Sequence, residues 1–191
     1  LLHNKKWTKT RNHAPGIRPY ILDKPELDGY EMKNVKDKLT LLSQIAKELN
    51  NKNVTWAIGA STMLYFKGIV SEFNDIDIMV AEEDVDVVKE VLLSLGEMQS
   101  PNPNIEYRTR CFLEFQVEGV EIDIMAGFVI IDKENEHYFP LKKENIKDFT
   151  EIDGIKIPLQ SLEEWRNYYQ LMGRDEKVHM IDSWRQTQVC Q

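Results

Sequence analysis

From Asn34 to Leu49 apolar residues recur at helical spacing, with Val35, Leu39, Leu42, Ile45 and Leu49 on one face, which predicts an amphipathic helix. Val54, Trp56 and Ile58 then alternate in a short strand that ends at Gly59. Ser61 stands where a helix N-cap belongs, ahead of Met63, Leu64 and Phe66, and Gly68 supplies a C-terminal stop. The run from Asn74 to Val80 reads as a strand. Its alternation projects Asp75 and Asp77 from one face and Ile76 and Ile78 from the other. A surface helix follows from Glu83 to Leu95, with Val85, Val88, Leu92 and Leu95 inward and Gly96 as its end.

Pro101 and Pro103 mark a loop, and beyond it alternation from Ile105 to Val117 is the longest strand signal in the chain. Glu118-Gly119 is a hairpin turn, and Val120, Ile122 and Ile124 alternate on the return, with Glu121, Asp123 and Met125 opposite. If the turn has two residues, Val117 pairs with Val120 and Glu114 falls opposite Asp123 on the same face. A strand at Phe128–Ile131 precedes a charged segment from Asp132 to Glu151 broken by Pro140. Asp153-Gly154 then turns into a strand at Ile155–Ile157. Ser161-Leu162-Glu163-Glu164 is a capping-box pattern. It opens a helix through Trp165, Tyr168 and Leu171 that breaks near Gly173 and resumes to Trp184. The order predicts a mixed α+β fold, a small mixed sheet flanked by helices. One domain over residues 34–191 and a basic N-terminal arm over 1–33 account for the chain.

Composition narrows the class. With 42% hydrophobic and 29% charged residues the 191-residue chain reads as a soluble globular protein. Its apolar runs are too short to span a bilayer, and no signal peptide is visible at the start. The first residue is Leu, so the numbered chain is expected to begin inside a longer one. Cys111 and Cys190 are too few for a disulfide framework and no cluster has zinc spacing, so a reducing cytoplasm is the expected compartment. The net charge of −8 disfavours a broad nucleic-acid surface. Lys5, Lys6, Lys9, Arg11 and Arg18 do collect in the arm, which reads either as a solvated terminus or as a contact for a phosphate backbone or acidic partner.

The chemistry sits in three places. Paired carboxylates on one strand face repel unless a cation lies between them, and hard oxygen pairs suit Mg²⁺ carrying nucleotide phosphates. Taken alone, Asp75-Ile76-Asp77 is more common as two solvated aspartates. Gly59-Ala60-Ser61 at a strand-to-helix turn offers close backbone approach and helix N–H groups to a phosphate, and it equally describes an ordinary capped helix. Asp123 on a later strand is either a third acid or an outward polar residue.

Together, in this order and spacing, these residues resemble the DNA polymerase β-like nucleotidyltransferase superfamily. So does the closing segment from Ile157-Pro158 to Gly173-Arg174-Asp175-Glu176-Lys177. The resemblance spans about residues 34–185 and points to small stand-alone prokaryotic members. It implies an enzyme that moves a nucleoside monophosphate from an NTP such as ATP to a hydroxyl of a small molecule, an RNA end or a protein. Asp75, Asp77 and Asp123 would hold two Mg²⁺ ions, with Asp123 at the second ion either lowering the pKa of the acceptor hydroxyl or accepting its proton. Gly59 and Ser61, across Ala60, would hold the β- and γ-phosphates. Arg174 and Lys177 would neutralise the leaving pyrophosphate or, alternatively, form a surface ion-pair stripe with Asp175 and Glu176. Glu114, from the hairpin register alone, would be an additional acid beside the metals. The chain departs from the pattern in reading Gly-Ala-Ser, with no arginine after the turn, and in Asn74 ahead of the first Asp. The alternative is a nucleotide-binding module with this fold that turns nothing over. Trp165, Tyr168, Tyr169 and Trp184 read either as core or as a contact face, so the oligomeric state stays open.

Overall fold

A computed structural model describes residues 33–101 and 108–189. The basic arm and the Ile105–Tyr107 portion of the expected long strand lie outside these residues.

Asn34 caps the first helix, α1 (Val35–Asn51), by accepting from the Asp37 N–H at 3.0 Å. Leu41, Leu42, Ile45, Ala46 and Leu49 bury its apolar face. Strand β1 (Trp56–Ile58) leads into α2 (Ala60–Phe66), and β2 (Ile76–Val80) follows. Both strands are buried along their whole length, because neighbouring elements cover both faces of the sheet centre. That is why β1 shows no half-exposed alternation. A turn of 3₁₀ helix at Glu82–Asp84 precedes α3 (Val85–Leu95). The hairpin is β4 (Cys111–Val117) and β5 (Val120–Ala126), flanked by a two-residue strand β3 (Glu97–Met98) on the outer edge of β4. Glu118 (φ 49°) and Gly119 (φ 80°) both take positive φ, as a type I′ turn requires. The register pairs Val117 with Val120 and Glu114 with Asp123, as the turn length predicts.

Then come β6 (Phe128–Asp132), β7 (Asn135–Phe139), β8 (Asp148–Ile152), β9 (Ile155–Leu159), α4 (Leu162–Leu171) and α5 (Asp175–Val189). The capping box predicted at Ser161 and Glu164 is formed in both directions, and Gly173 takes φ 66° at the break between the last two helices. Strands β7 and β8 stand where a charged connecting segment was expected. Each is a hairpin partner of exposed and partly buried residues with none fully buried, and Tyr138 and Phe149 are among the exposed ones.

The main sheet runs β3-β4-β5-β2-β1-β9-β8, and β6-β7 form a separate ribbon. Antiparallel pairing dominates, but β2 runs parallel to β5 and β1 parallel to β9. The fold is therefore mixed α+β. Trp165, Tyr168 and Tyr169 belong to its core, whereas Trp184 is half-buried. Burial pushes the Tyr168 phenol well above its ordinary range, aided by nearby Glu164 and opposed by a hydrogen bond with Gln160. Among the described residues no helix is long and apolar enough to cross a membrane.

Candidate metal and nucleotide site

The parallel register of β2 and β5 sets Asp77 directly beside Asp123. Asp75 lies immediately ahead of β2, and the three carboxylates offer oxygens that all fall within 4.8 Å of one another. All three are buried, at 8%, 2% and 0% exposure for Asp75, Asp77 and Asp123, so solvation does not explain them. Two like unit charges about 5 Å apart repel by about 3 kcal/mol at an effective dielectric of about 20. A divalent cation removes that repulsion, and hard carboxylate oxygens are the donors Mg²⁺ prefers. Asp77 Oδ1 and Asp123 Oδ1 are buried and accept no hydrogen bond, although each aspartate also interacts with other groups. The donor set fits a divalent metal.

A second group of acids adjoins the first. Glu114, across the hairpin from Asp123, and Glu121, two residues back on β5, bring carboxylate oxygens within 4.8 Å of one another and of Asp123. Asp123 thus joins both groups. Glu121 was noted in the sequence only as lying on the Asp123 face; its i, i+2 spacing was the signal.

The turn before α2 differs from its sequence reading. Gly59, not Ser61, is the N-cap residue; its backbone is extended (φ −120°), and the helix begins at Ala60. Ser61 therefore lies inside the first turn, half-buried. Ala60 carries the left-handed conformation, φ 42°, at a position where glycine would be unstrained. The Gly59 N–H donates to the Asp77 carbonyl at 3.0 Å. That donor is occupied by the strand, so a phosphate at this turn would be met by N–H groups of Ala60 and Ser61 and the Ser61 hydroxyl.

What Gly59 supplies is space. A Cβ built on it would meet Trp165 Cζ2 at 2.5 Å and Cε2 and Nε1 at 2.9 Å. Trp165 is fully buried and its indole N–H donates to Gln160 Oε1 at 2.7 Å, while the Gln160 N–H donates to the Ile58 carbonyl at 2.9 Å. The turn is backed by a fixed ring. Phe128 and Phe139 of the β6-β7 ribbon pack on Tyr168, at ring centroid distances of 5.3 and 4.6 Å, and so help hold α4.

Arg174 and Lys177 are both half-buried. Arg174 precedes α5 rather than lying within it, and its carbonyl accepts from the Lys177 and Val178 N–H groups. The pair spans the start of the helix.

Residues 41–183 match the model of a family described as aminoglycoside-2''-adenylyltransferase. Among solved structures, a nucleotidyltransferase candidate from Thermotoga maritima superposes with a TM-score of 0.62 at 24% identity, covering 81% of this chain and 96% of that one. A lincomycin-bound lincosamide antibiotic adenylyltransferase gives 0.53 at 13% identity over 81% and 99%. The antibiotic-resistance factor ANT(2'')-Ia in solution gives 0.50 at 12% over 80% and 91%. At these identities the likeness shows the fold alone. No curated protein matches by sequence.

Proposed function

The chain belongs to the aminoglycoside-2''-adenylyltransferase family, and on that premise we propose that it transfers an adenylyl group from ATP, with Mg²⁺, to a hydroxyl of a cationic, multiply hydroxylated small molecule. The observation that carries this reading is the buried carboxylate group in which Asp77 and Asp123 stand side by side on two parallel neighbouring strands and Asp75 lies just ahead of the first. Asp75 and Asp77 would hold the metal together with Asp123. When bound, Mg²⁺ neutralises phosphate charge and polarises the reacting phosphate. In the transfer, the acceptor oxygen forms a bond to the α-phosphorus, the α–β bridging bond breaks, and pyrophosphate leaves. The hydroxyl proton passes to a carboxylate, for which Asp123 is the candidate base. Ala60 and Ser61 would orient the triphosphate at the turn. Arg174 and Lys177 are the candidate partners of the leaving pyrophosphate.

The charge distribution supports the acceptor class. Glu114 and Glu121 extend the acidic face beyond the metal ligands, and the chain carries a net charge of −8. Such a face attracts an aminosugar and repels a nucleic-acid backbone. The domain proper is taken as residues 34–191, with residues 1–33 as an appended arm.

The test is pyrophosphate release from each of the four NTPs with Mg²⁺, across a panel of aminoglycosides, lincosamides and RNA ends. ATP-dependent release with an amino-sugar acceptor, lost in Asp77→Asn and Asp123→Asn, is expected. Binding of Mg-ATP without release for any acceptor would instead identify a nucleotide-binding module that has kept the fold and lost turnover.

A further inference from the structure

Asp75 is the one member of the acid group outside both strand ladders. The β1-β2 pairing ends at Ile58 and Ile78, and the β2-β5 pairing begins at Ile76 and Ile122. A side chain ties it down instead: Thr62 Oγ1 donates to the Asp75 carbonyl at 2.9 Å, and Thr62 is fully buried. The residue that caps the same short helix reaches Asp77, because the Gly59 N–H donates to the Asp77 carbonyl. Both carboxylate-bearing residues are thus tethered, by backbone carbonyl, to the element that carries the Ala60-Ser61 turn. The approach to Asp75 is held as well, with Lys38 Nζ donating to the Phe73 carbonyl at 2.6 Å and Tyr65 meeting the Phe73 ring edge-on at 5.2 Å.

We infer that Thr62 is a positioning residue. Its hydroxyl fixes Asp75 against Asp77 and Asp123, and so sets the separation between the carboxylates and the turn. This rests on the reading of the three acids as divalent-metal ligands. A group one step removed from the ligands acts on metal affinity because it decides where the ligand atoms stand before the ion arrives.

The probe is Mn²⁺ alone, titrated by electron paramagnetic resonance against the full chain. Four variants are compared with wild type: Thr62→Val, close in shape but without the hydroxyl; Thr62→Ser, which keeps it; Thr62→Ala, a second deletion should the valine misfold; and Ile45→Val, a core change in α1 that leaves the hydroxyl in place. Circular dichroism checks that each is folded. Loss of the hydroxyl is expected to weaken Mn²⁺ binding about tenfold, with most of the affinity restored in Thr62→Ser and Ile45→Val binding as wild type does. Wild-type affinity in a folded Thr62→Val or Thr62→Ala would overturn the inference. So would equal weakening by serine and valine, or by Ile45→Val, since either would mark packing rather than the hydroxyl. Absence of Mn²⁺ binding by wild type would overturn the metal-site reading itself and this inference with it.

Discussion

Adding one methyl group at Gly59 should show how firmly the turn is backed. A Cβ there would lie 2.5 Å from Trp165 Cζ2, well inside van der Waals contact, and the indole has no room to retreat because it is fully buried. Overpacking of this kind costs about 1–3 kcal/mol. If the ring tips to make room, its N–H leaves Gln160 Oε1, and breaking a buried hydrogen bond adds about 1 kcal/mol. The contact cost is about 2–4 kcal/mol, from which alanine recovers about 0.4–1 kcal/mol by restricting the unfolded chain, leaving about 1–3.5 kcal/mol. At about 2–4 °C per kcal/mol for a chain of this size, Gly59→Ala is expected to lower Tm by about 2–14 °C in a thermal melt followed by circular dichroism. The extended φ at Gly59 suits any residue, so backbone strain contributes nothing, and contact with the ring is the whole of the unfavourable part. Trp165→Leu, which removes the ring, therefore serves as the partner in a double-mutant cycle. In that background most of the about 2–4 kcal/mol contact cost should disappear. A Gly59→Ala melt within about 1 °C of wild type, or the same cost in both backgrounds, would refute the reasoning.

Further expectations concern neighbouring positions. Ala60→Gly relieves a left-handed alanine, worth about 1–2 kcal/mol, against about 0.4–1 kcal/mol of added unfolded-state entropy; a rise in Tm of about 1–3 °C is expected, and a fall contradicts the strain. Glu114→Gln, beside Asp123 in the register, should weaken Mn²⁺ binding by up to about tenfold, and unchanged affinity would detach the second acid group from the first. The Arg166 guanidinium, bonded to Asp182 at 2.6 and 2.7 Å, holds that carboxyl below the ordinary aspartate range. A depressed folded value means the pair's contribution is full above the unfolded aspartate value of about 3.9 and fades as pH falls through the folded one. The Tm gap between wild type and Asp182→Asn should be widest at neutral pH and close in acid; a gap that grows on acidification would reverse the sign.

Local signals carried much of the fold. The Ser161 capping box, the Glu118-Gly119 turn and the register that follows from it depend on residues a few positions apart, and each forms as the residue types require. The same register sets Glu114 against Asp123 from the turn length alone. The failures have long-range causes. Serine is the better cap by intrinsic preference, yet the helix starts at Ala60 and the cap falls on Gly59, where Trp165, on α4, leaves no room for a side chain. Thr62 gave no signal, since its partner is a backbone carbonyl and any residue at position 75 would supply one. Strands β7 and β8 were hidden because the polar residues of a half-exposed hairpin look like those of a loop.

The insertion of β9 beside β1 has a consequence for how the protein is made. Ile58 pairs with Leu159, and Gln160 returns to the Ile58 carbonyl, so the strand leading to the Ala60-Ser61 turn gains its second neighbour only after nearly all of the sequence up to α4 has been synthesised. Until then a nascent chain holds β1 as an open, apolar sheet edge, which is the kind of surface that recruits other chains. Pairings this distant in sequence also close slowly. Aggregation during expression should therefore depend on residues 155–160 more steeply than their small number suggests, and ribosome-bound chains arrested before Ile155 should be protease-sensitive around β1.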